Sequence, residues 1–351
     1  IYDTDNNYWF NQTNDPLVSW TFRKAPKFFD VVIYTGNSTS ERVVSHYLGV
    51  IPGMIIVKIT GPGADHWAVW HRSIPTGYMK LNTTEAAVYA GVPFGTTQPT
   101  ATNFYLPNNT LTNGTGNTYV AYLFAHDTGA DGVIQAGSYA GSASTQTFNI
   151  GFEPQWILIK NITSSGSWVL MDNMRGVTAG TGEDKLLYPN TSGAEATGGN
   201  RGDFNATGFS VVNSGDVNNA GENFIYLAIR RPNKPVTLAS QVFAVVPNTG
   251  TGVAKSVAGF GFSPDMVISK IKSGNGAAIY DRLRGVNLEI YPEQTTVETT
   301  RSNTLMSFDM DGISVGADGG GYINNVTYSP YIWWNFKRAP GVFDVVAYTG
   351  V

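Results

Sequence analysis

Trp334-Asn-Phe-Lys-Arg-Ala-Pro-Gly-Val-Phe-Asp-Val-Val-Ala-Tyr-Thr-Gly350 nearly repeats Trp20-Thr-Phe-Arg-Lys-Ala-Pro-Lys-Phe-Phe-Asp-Val-Val-Ile-Tyr-Thr-Gly36, which lies 314 residues earlier. A chain that closes on its own opening carries an internal repeat, and the period decides the fold. From Phe29-Asp-Val-Val32, similar elements recur near Gly132, Ser240 and Phe343, a period of about 105 residues. The expected organisation is the tail of a preceding module at 1–28, modules at 29–131, 132–239 and 240–342, and the start of a further module at 343–351. On this reading the chain is a piece of a longer array.

Each unit repeats four signals. A Tyr-x-Gly turn closes an apolar run at Tyr34-Thr-Gly36, Tyr139-Ala-Gly141 and Tyr348-Thr-Gly350, while the copy near Phe243-Ala-Val-Val246 drifts. A Pro then precedes a Lys by six residues, as Pro52 to Lys58, Pro154 to Lys160 and Pro264 to Lys270. The apolar run between them reads as a strand buried on both faces, with Pro at its first position and Lys at its wet end. Third come Trp67-Ala-Val-Trp-His71, Trp168-Val-Leu-Met-Asp172 and Ala278-Ile-Tyr-Asp281; the last two run into Asp-x-x-Arg-Gly, a turn where the acid pairs with Arg and Gly takes a positive φ. Loops are expected at Leu81–Ala87, Pro189–Glu195 and Pro292–Glu298. The fourth signal is an aromatic closing strand, at Tyr119–Phe124, Phe224–Ile229 and Tyr331–Phe336, with a leading copy at Leu17–Phe22. Short apolar runs about ten residues apart, bounded by Gly, Asn, Asp and Pro, predict an all-β chain of three tandem antiparallel β-sandwich modules.

Composition agrees. Charged residues are 14%, Gly numbers 40, and the net charge is −4, so no basic field exists to hold a nucleic acid. No apolar run reaches the ~20 residues of a membrane-spanning helix, and no membrane insertion is expected. The absence of Cys removes disulfides and thiolate metal sites.

Several stretches resemble a repeat family of structural proteins in tailed, mainly aquatic, bacteriophages. They are Asn117–His126, Gly151–Lys160, Met171–Gly176, Tyr280–Gly285 and Trp334–Pro340. The resemblance implies lectin-like β-sandwich modules in a tail or head fibre on the virion surface, and a non-enzymatic role in host attachment. Its implied partners are other virion proteins, copies of itself (trimers are common in such fibres) and a host surface glycan. The family brings no catalytic residues and no cofactor. Two departures stand out: the third unit lacks the counterpart of Trp168, and His71-Arg-Ser-Ile-Pro75 replaces Asp-x-x-Arg-Gly in the first.

His66 and His71, beside Asp65, could start a metal site only with a third ligand, and His46 is distant in sequence; a turn-exposed His pair is the simpler reading. Asp309 and Asp311 begin like a calcium loop but lack the acids that complete one. Arg201-Gly-Asp203 matches a cell-adhesion tripeptide, and nine Asn-x-Ser/Thr sequons, among them Asn37, Asn82, Asn161, Asn190 and Asn205, would be glycosylation sites only in a suitable host. The acids that could serve glycoside hydrolysis, Asp172 with Asp281 and Glu195 with Glu298, recur once per unit, which argues for folding roles. Trp156 and Trp334 read as core, whereas Trp67, Trp70, Trp168 and Trp333 stand near turns and are candidates for stacking on sugars or partners. Besides the virion reading, a glycan-binding cell-surface adhesin and a polysaccharide depolymerase remain as alternatives.

Overall fold

Pro52–Ile59 shows how one of these runs becomes a strand. Its Ile and Val side chains suit a pleated, packed surface, Pro sits first, where no interior ladder bond is lost, and all but Lys58 are buried. The computed structural model describes residues 18–61, 63–177, 184–197, 199–231, 236, 238–274, 276–324, 329–339 and 342–346. Nearly every regular element in it is a strand, and every ladder is antiparallel.

Three large sheets are built the same way. An opening strand (Phe29–Thr35, Ile134–Ala140, Phe243–Thr249) pairs with the closing strand (Thr118–Ala125, Asn223–Arg230, Pro330–Phe336). The closing strand pairs in turn with the proline-led strand (Pro52–Ile59, Pro154–Asn161, Met266–Ile271), and that with a partner strand (Ala68–His71, Trp168–Asp172, Ala277–Asp281). Registers coincide: Met54 faces Phe124, Trp156 faces Ile229 and Met266 faces Phe336. Pro52, Pro154 and Pro264 therefore lead equivalent strands, and each closing strand completes its own sheet.

A smaller sheet covers the inner face of each large one, giving three tandem sandwiches. It pairs Arg42–Ser45 with Asn103–Leu106 in the first unit, Gln146–Asn149 with Gly208–Val211 in the second, and Lys255–Ala258 with Gly312–Val315 in the third. Alternation along the strands fixes which residues face inward. In the second unit Ile157, Ile159, Val169, Met171 and Phe224 share a core with Phe209 and Val211; in the third Val267, Tyr280, Tyr331 and Trp333 share one with Phe308 and Ile313.

The outer faces differ. Those of the first two units are stacked on each other: Met54, Ile56 and Val69 belong to one continuous core with Trp156, Leu158, Leu170, Ile225 and Leu227. Gly53 has no side chain because a Cβ there would stand 2.7 Å from that of Ala136, on the facing sheet. The loop after Lys80 closes the far end, where the Trp168 indole donates to the Lys80 carbonyl at 3.0 Å.

Several expectations need correction. Lys160 does not mark a wet end: it is fully buried, and its ammonium donates to the carbonyls of Gly166 and Thr84. Lys58 makes the matching bond to Asp65 O at 2.5 Å, so the Lys ties off the hairpin loop that follows its strand. In the third unit Asn248-Thr-Gly250 occupies the place of Tyr-x-Gly, the drift noted above. The leading copy of the closing strand forms no strand over residues 18–24. Each closing position is already filled by a unit's own strand, and Trp20 and Phe22 dock on the first seam instead, Phe22 between Phe124 and Trp156. Residues 1–17 and 347–351, which include most of the expected tail, the whole Tyr348-Thr-Gly350 turn and most of the start of a further module, lie outside the described residues. Of the helical segments, one is a single turn at Thr110–Asn113 and one a 3-10 turn at Ala239–Gln241. No helix among the described residues is long and apolar enough to cross a membrane.

Candidate functional site

The Asp-x-x-Arg-Gly turns are the sharpest repeated chemistry, and they are duplicated atom by atom. Asp172 Oδ1 accepts the Arg175 amide at 2.9 Å, and Asp281 Oδ1 accepts the Arg284 amide at 2.9 Å. The guanidinium then bonds the same Asp at 2.6 Å and 2.5 Å, an acid of the following loop (Glu195 at 3.1 Å, Glu298 at 2.7 Å) and a strand carbonyl (Leu170 O or Ile279 O, both 3.2 Å). Gly176 and Gly285 take φ of 122° and 103°, the region that a β-carbon disfavours. Within each unit the two recurring acids, Asp172 with Glu195 or Asp281 with Glu298, thus close on one Arg. The geometry holds a hairpin turn; it leaves neither acid facing a second carboxylate across a cleft.

His71 takes the place of that Asp in the first unit. Its Nδ1 accepts the Ser73 amide at 3.2 Å, and its Nε2 lies 3.1 Å from the Tyr226 carbonyl on the second unit. Acceptor on one side and donor on the other define the neutral Nε2–H form. Burial pushes the imidazole pKa down to about 4. His71 is therefore no half of an exposed pair: it is fully buried, whereas His66 bonds Asn82 near the surface. His46 is buried against Thr100 O. Among the described residues no three His, Asp or Glu side chains gather as a metal ion would need.

The calcium candidates are committed elsewhere. Asp309 accepts Ser307 and Ser314 hydroxyls, and Asp311 accepts the Gly259 and Gly261 amides. Arg201-Gly-Asp203 is no protruding tip, since Gly202 is buried and Arg201 pairs with Asp216 at 2.9 Å. Two sequon asparagines are inaccessible: Asn161 is 1% exposed and bonds Glu222, and Asn113 is wholly enclosed.

Asn113 is one of three equivalent residues that the sequence reading missed. Asn113, Asn218 and Asn324 are all fully buried. Each accepts an amide just past the opening strand, from Asn37, Ser142 or Thr251, and donates to two carbonyls, among them Thr39, Ser144 or Val253. A primary amide can serve both sides of such a turn at once, and burying it unpaired would cost about 1–3 kcal/mol. The available signal was an Asn six or seven residues ahead of each closing aromatic run.

Of the four Trp candidates, three are core. Trp70 is 2% exposed and Trp168 and Trp333 are sealed, because their strand faces look onto the small sheet or the facing unit. Trp67 alone reaches the surface. It is equivalent to Trp168 but only partly buried, with its ring parallel to Tyr122 (centroids 6.4 Å apart, 18° between planes) and Lys58 Nζ 5.9 Å above it. Trp334, expected in the core, lies half-buried on the outer face of the third unit.

A cleft of about 540 Å³ separates the second and third units and is lined by Met174, Arg175, Lys185, Arg284, Met306 and Phe308. It joins the two Arg turns. Next to it the seam is ionic: Arg231 binds Asp265, and Arg338 binds Glu153 at 2.7 Å.

A family model described as Domain of unknown function (DUF7483) matches residues 2–232 and 238–349. No curated protein matches the chain.

Proposed function

We propose that this chain, which belongs to that family of unknown function, is a structural, non-catalytic component of a tailed-bacteriophage virion. Its place is within a fibre or surface appendage that contributes to host attachment. The observation that carries the reading is the spending of the repeated polar residues. Asp172, Glu195, Asp281 and Glu298 bind Arg175 or Arg284, and Asn113, Asn218 and Asn324 clamp turns, so what recurs serves the fold. Sandwiches tied to their neighbours, the first two face to face through an apolar seam and the third through an ionic one, make a stiff element, as tandem arrays do when each repeat contacts its neighbours. The sequence resemblance to phage structural repeats supplies the setting.

Immunogold labelling with antibody to this chain tests the proposal on particles whose genome encodes it. Gold on a fibre or other appendage is expected; particles without gold, with label on the cell surface, would replace the virion reading by the adhesin one.

Glycan contact has one specific support, the Trp67–Tyr122 platform with Lys58 above it, where an apolar ring surface and a polar rim suit a pyranose face. On a glycan array, Trp67→Ala should abolish any binding the chain shows while Trp168 stays in place. Binding that survives the change would remove this platform from the site. A depolymerase finds no comparable support, because the acids it would use are held by arginine.

A further inference from the structure

We propose that the third unit carries a groove for an acidic polysaccharide, a chain of sugars bearing carboxylates, which runs from the joint with the second unit across Thr300 to the turn at Gly319. Such a groove goes beyond the virion reading and would serve a cell-surface protein equally.

Two clefts meet at Thr300. The one between the second and third units, about 540 Å³, has Met174, Lys185, Val286 and Met306 in its walls and ends at Thr300. Thr300 also opens the second, about 390 Å³, whose walls include Arg301, Ser302, Asn303 and Gly319. All the residues that line them are among the described ones. Each cleft lies within the roughly 300–1,000 Å³ usual for ligand sites.

Charge selects the occupant. The chain has a net charge of −4, yet the walls of the two clefts hold five cationic residues, Arg175, Lys185, Arg282, Arg284 and Arg301, and one acid, Asp318. That acid is fully buried and spent on the amides of Gly320, Ile323 and Asn324. Arg175, Arg282 and Arg284 are held by carboxylates that are not part of the walls, and they shape the site rather than bind in it. Two cations remain for a ligand, one in each cleft. Lys185 has no carboxylate partner among the described residues. Arg301 is held in place: its Nε donates to Tyr291 OH at 2.9 Å and lies 3.2 Å from Glu289, its centre lies 5.4 Å from the Tyr322 ring, and a Cβ on Gly320 would stand 2.6 Å from its Nη1. Among the described residues nothing bonds Nη1 or Nη2, so the outer edge of the guanidinium is a fixed fork of the shape that a carboxylate fits with both oxygens.

Around the two cations the walls are neutral. Thr300 and Ser302 bring hydroxyls and Asn303 an amide, groups that pair with sugar hydroxyls, while Met174, Val286 and Met306, at 36%, 38% and 45% exposure, offer apolar surface to the C–H face of a ring. Separated charges with neutral polar groups between them suit a sugar acid repeated along a chain. An acidic peptide would instead extend a sheet edge through its backbone, and the strand at the junction, Thr299–Thr300, has only two residues to offer.

Isothermal titration of the 351-residue chain with oligogalacturonate tests the groove, with polyglutamate and dextran as the acidic peptide and the neutral sugar. Oligogalacturonate should bind, more weakly as salt screens Lys185, and dextran should not. Lys185→Ala and Thr300→Glu alter side chains that the fold does not use, so each should leave the melting curve unchanged and weaken binding at least about 10-fold, the loss of one charge-assisted contact. Lys272→Ala, at an exposed lysine of the third unit outside both clefts, should leave binding as it was. Absence of binding overturns the proposal, as does binding that ignores both groove variants or that Lys272→Ala weakens as much. Polyglutamate binding as tightly, and lost with the same variants, would put an acidic peptide in place of the sugar and overturn it too.

Discussion

The two seams between the units are made of opposite chemistry. At the first, sheet faces share one apolar core, with Leu158, Leu170 and Leu227 in the same cluster as Met54 and Val69. At the second, loop ends meet through Arg231, Asp265, Glu153 and Arg338. An apolar seam gains with area and tolerates small misfits of angle; an ionic one offsets its desolvation only when the geometry is good and every charge is paired. Repetition in this chain therefore fixes the fold of a unit and leaves the joint between units free to differ.

The contrast can be broken most severely at Trp168. Trp168→Ala removes a sealed ring and its bond to Lys80 O, and should cost about 3–5 kcal/mol in urea unfolding. Trp67→Ala, at the equivalent but partly exposed position of the first unit, should cost less than about 1 kcal/mol. Equal losses would mean that the first seam is not closed as described. The next largest effect is expected at Asp265, 1% exposed between Arg231 and Arg282. Asp265→Ala takes the nearest carboxylate from the buried Arg282 and from Arg231, and should cost about 3 kcal/mol. Because the first two units share a core and the third has its own, this loss should appear as an earlier transition of the third unit alone. A single transition that moves as a whole would show that the ionic seam couples the units as tightly as the apolar one.

How far the sequence could reach is clear from particular residues. The Pro-to-Lys spacing located the same strand three times, because a strand buried on both faces must be a continuous apolar run and its ends must be polar. The Asp-x-x-Arg-Gly turn was legible down to the ion pair and the positive φ, since both are local. What failed was non-local. Trp333 and Trp334 are neighbours on one strand, so they point to opposite faces, but which face is covered depends on contacts far along the chain, as at the first seam, where His71 and Tyr226 are 155 residues apart. Lys160 looked like a wet end because a Lys commonly is one; only the loop at Thr84 of the preceding unit makes it dry. His71 looked exposed because its neighbours are polar, yet its partner carbonyl belongs to Tyr226. The buried asparagines were invisible among so many turn asparagines, since nothing local separates a clamp from a surface turn.

His71 also gives the gentlest way to separate the seams, by acid. Its folded pKa, about 4, lies below the ordinary 6.5 because burial disfavours the imidazolium, and the nearby Arg72 adds to this. The unfolded chain therefore binds a proton that the folded chain refuses between those two values. Stability from this group is complete above about pH 6.5 and is lost as pH falls towards 4, at up to ~1.4 kcal/mol per pH unit. Glu153, at the ionic seam, has the opposite sign. Burial raises its carboxyl above the ordinary range, more than Arg338 and Arg231 lower it, so the folded state holds the extra proton and its contribution strengthens as pH falls. Denaturation at pH 7, 6 and 5 should therefore bring forward the transition of the first two units and leave that of the third nearly still. His71→Gln, which keeps an acceptor and a donor but cannot be protonated, should flatten the first response. A slope that survives the substitution would place the acid-sensitive group elsewhere and remove His71 from the seam's account.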